Sequence, residues 1–389
     1  MSSIPAFEAR TAAPRLASLG QSVVAIAPRA ALAVIAAVAA LMRLAGLGAM
    51  PLNPFYDAAV RSMGSSWHAF LLGAFNPNAT VTVDKPPLDL WLQVASTKLL
   101  GFTPFALLLP TAIASSAAVL LLYDLIRRGF GRTAGLAAAA ALAVLPAEVM
   151  TARSDTMDAT MAALLVLAAW LVVRGLERGR SRELYIAGAV VGLAFEAKLF
   201  EALVPLPALV LLFWVGSSAR RRTRVKQLAG AGAVAACVAL AWPLLFALSQ
   251  VGVRPYPLGS SNGSIWSTVF GYNGINRVTG ASTQSALDRL SPPGAGRLLA
   301  SGPIHLAALV GTTLVPALAV GCAAAGLGLV RRRNLGKVPF ALAVAMGVWL
   351  VLTGVLLSFI SHVPVRYLEA LLPAIAGVFG IGLALLARA

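Results

Sequence analysis

The chain has 389 residues, of which 59% are hydrophobic and only 12% charged, with a mean hydropathy of +0.84. Soluble domains carry about 25% charged residues, so the composition excludes a soluble globular protein and points to an integral membrane protein. The formal net charge of +17 would suit nucleic-acid binding, but in a membrane chain the distribution of basic residues between loops is tested first.

Crossing about 30 Å of hydrocarbon takes roughly 20 apolar residues. Ten such runs follow in chain order: 28–50, 105–128, 133–151, 159–176, 184–199, 201–218, 227–249, 304–330, 338–360 and 368–388. The expected fold is all-α and polytopic, with about 10 transmembrane helices, a cytoplasmic tail over 1–27 and a single transmembrane domain over 28–389. The first run is longer than the apolar core of a secretory leader and reads as an uncleaved span. With the N-terminus inside, RRGFGR, RGLERGRSRE, SARRRTRVK and RRRNLGK all face the cytoplasm. The inner side then carries 20 of the 31 Lys and Arg but 4 of the 14 Asp and Glu. This is the positive-inside pattern, so the basic excess has a topological cause and requires no nucleic acid. The stretch LDLWLQVASTKLLG (88–101) is helical in pattern but too short to cross, and is expected as an outer juxtamembrane or re-entrant helix. Cys237 and Cys322 lie in apolar runs and read as small packing residues.

The remaining polar stretches all fall on the outer face. In the first outer loop, 51–104, Asn53 and Pro54 suit the cap and first position of a helix. Tyr56, Val60, Met63, Trp67 and Phe70 recur as one apolar stripe, as expected of an interfacial helix. Asp57 and Arg61 stand four apart and are either a local ion pair or part of a site. Next comes VTVDKPPLDLW (81–91), where each proline removes a backbone donor and pushes its predecessor into an extended conformation. Non-helical backbone at membrane depth requires burial in protein or a water-lined cavity. Lys85 in that corner suits a phosphate and Asp84 a general base. The bland alternative is a solvated turn with a snorkelling lysine.

Arg153, Asp155 and Asp158 close the turn between the third and fourth runs, and Asp158 also suits a helix N-terminus. Glu196, Lys198 and Glu201 repeat the theme, and His362, Arg366 and Tyr367 open the last run. Ionisable groups in such places are candidate ligands of a polar cavity. The loop over 250–303 combines Gly, Ser and Asn with Trp266, Phe270, Tyr272 and Asn273, suited to stacking on and hydrogen bonding with a sugar. Three scattered histidines argue against a zinc site, whereas the carboxylates suit a harder divalent cation such as Mg or Mn. Neither an internal repeat nor a nucleotide-binding motif is present.

The runs FYDAAVRSMGSSWHAF, VTVDKPPLDLW, RSDTMDA, FEAKLFEALVPLPAL and GSSNGSIWSTVFGYNGINRVTG resemble, in order, the bacterial GT-C membrane glycosyltransferases related to protein O-mannosyltransferases and lipid A aminoarabinose transferase. The resemblance implies a bacterial inner-membrane enzyme with its active site facing the periplasm. It would transfer a sugar from a polyprenyl-phosphate donor to a lipid, glycan or protein acceptor. It implies that Lys85 contacts the carrier phosphate and that Arg153 is the basic residue of the turn after the third span. Where several relatives have an Asp-Glu pair at the start of the first outer loop, this chain has Leu52 and Asn53, so the base stays open among Asp57, Asp84 and Asp158. Relatives that continue past the tenth span suggest a short member or one working with a partner. Acceptor attack at the anomeric carbon calls for a carboxylate to take the proton, and the departing phosphate calls for fixed cations. The rival readings are a lipid or solute transporter with an outer polar cavity and a non-catalytic subunit of an envelope complex.

Overall fold

The computed structural model describes residues 13–250, 252–279, 292–300, 306–330, 335–361 and 363–387. The described chain is helical, without a named strand. Its helices are α1 (Ala13–Leu44), α2 (Pro54–Met63), α3 (Trp67–Leu72), α4 (Leu88–Leu100), α5 (Pro104–Phe130), α6 (Arg132–Val144), α7 (Pro146–Ala152), α8 (Asp158–Arg178), α9 (Arg182–Lys198), α10 (Leu206–Gly216), α11 (Arg221–Ala239), α12 (Ala241–Leu248), α13 (Thr312–Val330), α14 (Lys337–Phe359) and α15 (Leu372–Leu386).

Helix α5 shows how sequence sets these boundaries. The Thr103 hydroxyl accepts from the Ala106 amide, Pro104 occupies the first turn, Arg127 and Arg128 lie in the last turn, and Gly131 at φ 91° ends the helix. Among the described residues five helices are long and apolar enough to cross a membrane, or up to eight spans if each bent pair counts as one. The chain is thus a multi-pass membrane protein, and among the described residues fewer than the ten expected runs meet that length and apolarity. The runs 184–199 and 201–218 are not two straight spans but limbs meeting at a 97° break. Two other pairs bend by 61° at α6–α7 and 44° at α11–α12. Pro146 and Pro243 explain those bends, each removing a donor and pressing its ring on the preceding turn.

The core gathers α5, α6, α8, α9, α14 and α15 around alanine- and leucine-rich faces. In lipid, packing and close backbone approach hold helices together, because tails are as apolar as leucine. Gly380 allows one such approach: a Cβ there would lie 2.5 Å from the Ala134 carbonyl oxygen. The opposite faces remain apolar and uncovered, as at Val34, Leu41, Val351 and Val355. Cys237 and Cys322 also lie exposed, on outward faces and not in the packed core expected of them.

The first loop differs from one continuous stripe. Asn53 caps α2 by accepting from the Phe55 amide, and Tyr56, Val60 and Met63 are buried, but the helix stops at Gly64 and Trp67 on α3 is 78% exposed. Ser66 starts α3 anew by capping Ala69. Helix α4 forms as expected, and it is not among the spans long enough to cross. Within the long loop, Ser267–Ile275 forms a π-helical turn, where loop was expected. Such wide turns often mark functional sites.

Candidate functional site

The VTVDKPP corner is built by a chain reversal. Gly73 at φ 66° turns the backbone after α3, and the Phe75 amide donates to Val81 O (2.8 Å) while the Val83 amide donates to Gly73 O (2.9 Å). The long loop adds a third edge: Thr82 N donates to Tyr256 O (3.0 Å) and Tyr256 N to Thr80 O (2.7 Å). Pro86 and Pro87 have no donors to continue this pattern, and α4 begins at Leu88. Asp84 and Lys85 occupy the gap between ladder and helix.

Both are buried, at 8% and 7% exposure, which overturns the solvated-turn alternative. Lys85 Nζ lies 2.6 Å from Asp84 Oδ2, and Arg277 Nη2 lies 4.0 Å from the same oxygen. The Asn273 amide donates to the Asp84 carbonyl (2.5 Å) and to Thr268 O (3.1 Å), tying the corner to the π-helical turn. Burial would raise the Asp84 carboxyl, but Lys85, with Arg277 and Arg366 beyond it, holds it below its ordinary value. Burial acts against the Lys85 ammonium as well, yet Asp84, Tyr56 and Tyr367 raise it. The two groups therefore form a fixed ion pair.

A second charged group closes on the first. Lys198 contacts Asp158, lies 2.9 Å from Glu201 Oε2, and stands 4.2 Å from the centre of the Tyr367 ring. Leu199 at φ 52° ends α9 there, in a conformation that costs a branched side chain energy and is found where function or packing demands it. That break lets Lys198 and Glu201 face the same partners. Arg366 and Tyr367 ride on the 3₁₀ segment Val365–Ala370. The Arg366 charge acts on Asp84, Asp155, Lys198 and Glu201, and its guanidinium lies 6.0 Å from the centre of the Tyr367 ring.

A third, acidic, edge adjoins them. Asp155 Oδ2 accepts from the Asn53 amide (2.7 Å), which brings Asp57, in the first turn of α2, beside Asp155. Asp89 accepts from Thr160 (2.5 Å) and Gln93 (2.7 Å). Burial pushes Asp155 and Asp89 each up to about 6; the Asp57 charge adds to this at Asp155, and Asp155 adds to it at Asp89. Asp57 Oδ1 is buried without a hydrogen-bond partner.

The geometry thus brings together Asp57, Asp84, Lys85, Asp155, Asp158, Lys198, Asn273, Arg366 and Tyr367. Tyr272 joins through Arg277, whose guanidinium lies 5.0 Å from its ring centre. Three candidates turn elsewhere. Arg61 forms no ion pair with Asp57 although the two stand four apart on α2; it is exposed and its guanidinium lies 3.7 Å from the centre of the Phe102 ring. Arg153 donates to Met42 O (2.8 Å) and meets Met50 Sδ (3.3 Å), fastening the turn to the end of α1. Glu196 accepts from the Trp242 amide (3.1 Å), serving a donor freed by the α11–α12 break. His362 lies outside the described residues. Missed in the sequence were Arg277 and Asp89; the i, i+4 spacing of Asn273 and Arg277 was the available signal for the first. Among the described residues no three of His, Cys, Asp and Glu are grouped as metal ligands.

Two apolar cavities lie along the helices and not within the charged cluster. One, of about 390 Å³, runs between α9, α10 and α11 past Gly188, Gly192 and Ala235 to Phe200 and Phe270. Phe270 belongs to the same π-helical turn as Asn273, so this groove leads to the charged site. The other, of about 810 Å³, lies between α13, α14 and α15.

Residues 84–245 match the family described as dolichyl-phosphate-mannose-protein mannosyltransferase. The chain is 37% identical over 231 residues to YkcB and 32% over 246 residues to YycA, two proteins of Bacillus subtilis (strain 168) carried under the provisional name of mannosyltransferases. Those stretches cover 59% and 63% of this chain but 32% and 36% of the relatives, so the match spans about a third of their length. Among solved structures, ArnT from Cupriavidus metallidurans bound to undecaprenyl phosphate superposes with a TM-score of 0.65 at 19% identity, covering 90% of this chain and 60% of that one. The oligosaccharyltransferase AglB from Archaeoglobus fulgidus, in complex with an inhibitory peptide and a dolichol-phosphate, gives 0.59 at 14%, covering 93% and 50%. At such identities the likeness is one of fold. The chain is thus a helical membrane protein with the fold of ArnT and AglB. Over residues 84–245 it is similar to the dolichyl-phosphate-mannose-protein mannosyltransferases, the resemblance that the motifs of its sequence imply.

Proposed function

We propose that the chain transfers a sugar from a polyprenyl-phosphate-linked donor to an acceptor on the extracytoplasmic face of the bacterial inner membrane. The observation that carries this reading is the buried Lys85–Asp84 pair with Arg277 and Arg366 beside it, next to an apolar groove. A lipid phosphate combines the two chemistries: an anion for the cations and an isoprenoid for the groove.

In the reaction the acceptor hydroxyl attacks the anomeric carbon and the bond from that carbon to the phosphate oxygen breaks. The bonding pair leaves with polyprenyl phosphate, and the acceptor proton passes to a carboxylate. Fixed cations aimed at the departing oxygen act where charge develops, without reorganising water. A single displacement of this kind inverts the anomeric centre. Of the three base candidates, Asp84 is tied up by Lys85, and Asp158 is fully buried against Lys198. Each of the three has a buried oxygen without a hydrogen-bond partner, but Asp57 alone among them has no ion-pair partner among the described residues, which suits it best. Lipid, glycan and protein hydroxyls all fit as acceptors.

The experiment is transfer of labelled sugar from a polyprenyl-phosphate donor in reconstituted membranes, comparing wild type with Asp57→Asn. Donor-dependent product from wild type and a loss of about 10²-fold or more in the variant are expected. Transport of the donor without covalent product would replace the reading with a transporter. Labelling of a cysteine placed at Trp67 by an impermeant reagent in intact cells tests which face the site occupies.

A further inference from the structure

A second polar cluster lies inside the bundle, away from the charged corner. Arg43, Glu148 and Glu369 are 0%, 1% and 0% exposed, although they come from α1, α7 and the 3₁₀ segment Val365–Ala370. Arg43 Nε donates to Ser115 Oγ (2.7 Å), Ser115 donates to Glu148 Oε1 (2.5 Å), and Arg43 Nη2 lies 3.5 Å from that oxygen. The remaining guanidinium donors are taken by the Ala39, Ala143 and Leu142 carbonyls. The Glu369 carboxyl lies against Glu148, Thr151 and Arg43.

Buried charge is costly and has to be explained. Each arm of this cluster leads to a segment of the site. Helix α7 runs on to the turn with Asp155, α1 leads through Met50 to Asn53, and Glu369 is three residues from Arg366 and two from Tyr367. The same segment is pinned from its other side, where Trp349 Nε1 donates to Ala370 O (2.8 Å). One guanidinium faces two carboxyl groups, so the cluster is neutral only with a proton on one of them, and an amide can stand in for a protonated carboxyl.

We infer that the Arg43–Glu148–Glu369 cluster is a positioning node that fixes the 3₁₀ segment and thereby sets Arg366 and Tyr367 in the site. This rests on the proposed role of the site in binding lipid phosphate. Small misplacements of binding groups are expensive: a shift of about 1 Å costs as much as about 10²-fold in rate.

The test uses the full-length protein in detergent with undecaprenyl phosphate as probe, and hydrogen exchange of residues 363–371. Glu369→Ala is expected to weaken probe binding about tenfold or more and to speed exchange in 363–371, whereas Glu369→Gln stays within about threefold of wild type. In an Arg366→Ala background, Glu369→Ala should add less than about twofold, because both changes remove the same interaction. Full multiplication of the two losses, or unchanged exchange in 363–371, would overturn the node. If Glu369→Ala does not fold, Glu369→Asp keeps the charge count but shortens the reach, and faster exchange is again expected. Should wild type bind no undecaprenyl phosphate, the functional reading fails, and exchange alone still decides the node.

Discussion

Replacing Lys85 by methionine keeps the side-chain stem and deletes the ammonium. The loss falls on a pair that is 7% and 8% exposed and 2.6 Å apart, leaving Asp84 with Arg277 at 4.0 Å as its nearest cation. Breaking one side of a buried pair costs about 3–5 kcal/mol. The lower end is expected here, because Arg277 and Arg366 still face Asp84. For catalysis, removing one group that stabilises developing charge costs about 10²–10³ in rate. The two effects separate in the double variant Lys85→Met with Asp84→Asn, which removes the orphaned anion. Stability should recover in the double variant and transfer should not. Thermal unfolding in detergent reads the first, and transfer of labelled sugar per folded molecule reads the second. If Lys85→Met transfers sugar within about threefold of wild type, the lysine only neutralises Asp84 and the reasoning from phosphate recognition is wrong.

Stability should also depend on pH through Asp155 and Asp89. Each has its folded value raised from 3.8 to about 6, so between those limits the native state holds more protons than the unfolded chain and stability falls as pH rises. Asp84 has the opposite sign, its contribution being lost as pH falls below 3.8 through its folded value. Unfolding midpoints between pH 4 and 6 should therefore fall less steeply with rising pH in Asp155→Asn than in wild type. Gly259 sits at φ 82°, and a Cβ there would come within 2.6 Å of the Tyr272 ring, so Gly259→Ala should displace Tyr272 and cost about 1–3 kcal/mol, read by thermal unfolding and by a raised KM for donor. Because Asp84, Asp158 and Glu201 are each paired with a lysine, Lys198 serving the last two, transfer should persist in EDTA; restoration only by Mg or Mn would show that the acids hold a metal instead.

Several features of the site were legible because one local signal fixed them. The two prolines after Lys85 forbid both ladder and helix, so the corner had to be irregular wherever it lay. Asn53 and Pro54 start a helix for reasons contained in three residues, and the capping bond to Phe55 follows. Arg61 and Arg153 misled for the opposite reason: a cation's neighbours in sequence do not say which way a long side chain turns. One stacks on Phe102 and the other reaches back to Met42, both from distant stretches of chain. The buried trio of Arg43, Glu148 and Glu369 comes from three separate apolar runs, and nothing local in the sequence ties them to one another.

Composition and hydropathy by themselves determined that this chain lives in a membrane and folds as helices, because unpaired backbone groups are too costly in hydrocarbon for anything but helices or closed barrels. The order of its motifs determined which family it resembles. Only the folded chain decided how many helices run straight, which acids keep a free oxygen, and that the charges of Lys85, Arg277 and Arg366 all act on Asp84. Those outcomes depend on segments as far apart as Asp84 and Arg366 in the sequence, and the energy of a charge is set by what surrounds it in space.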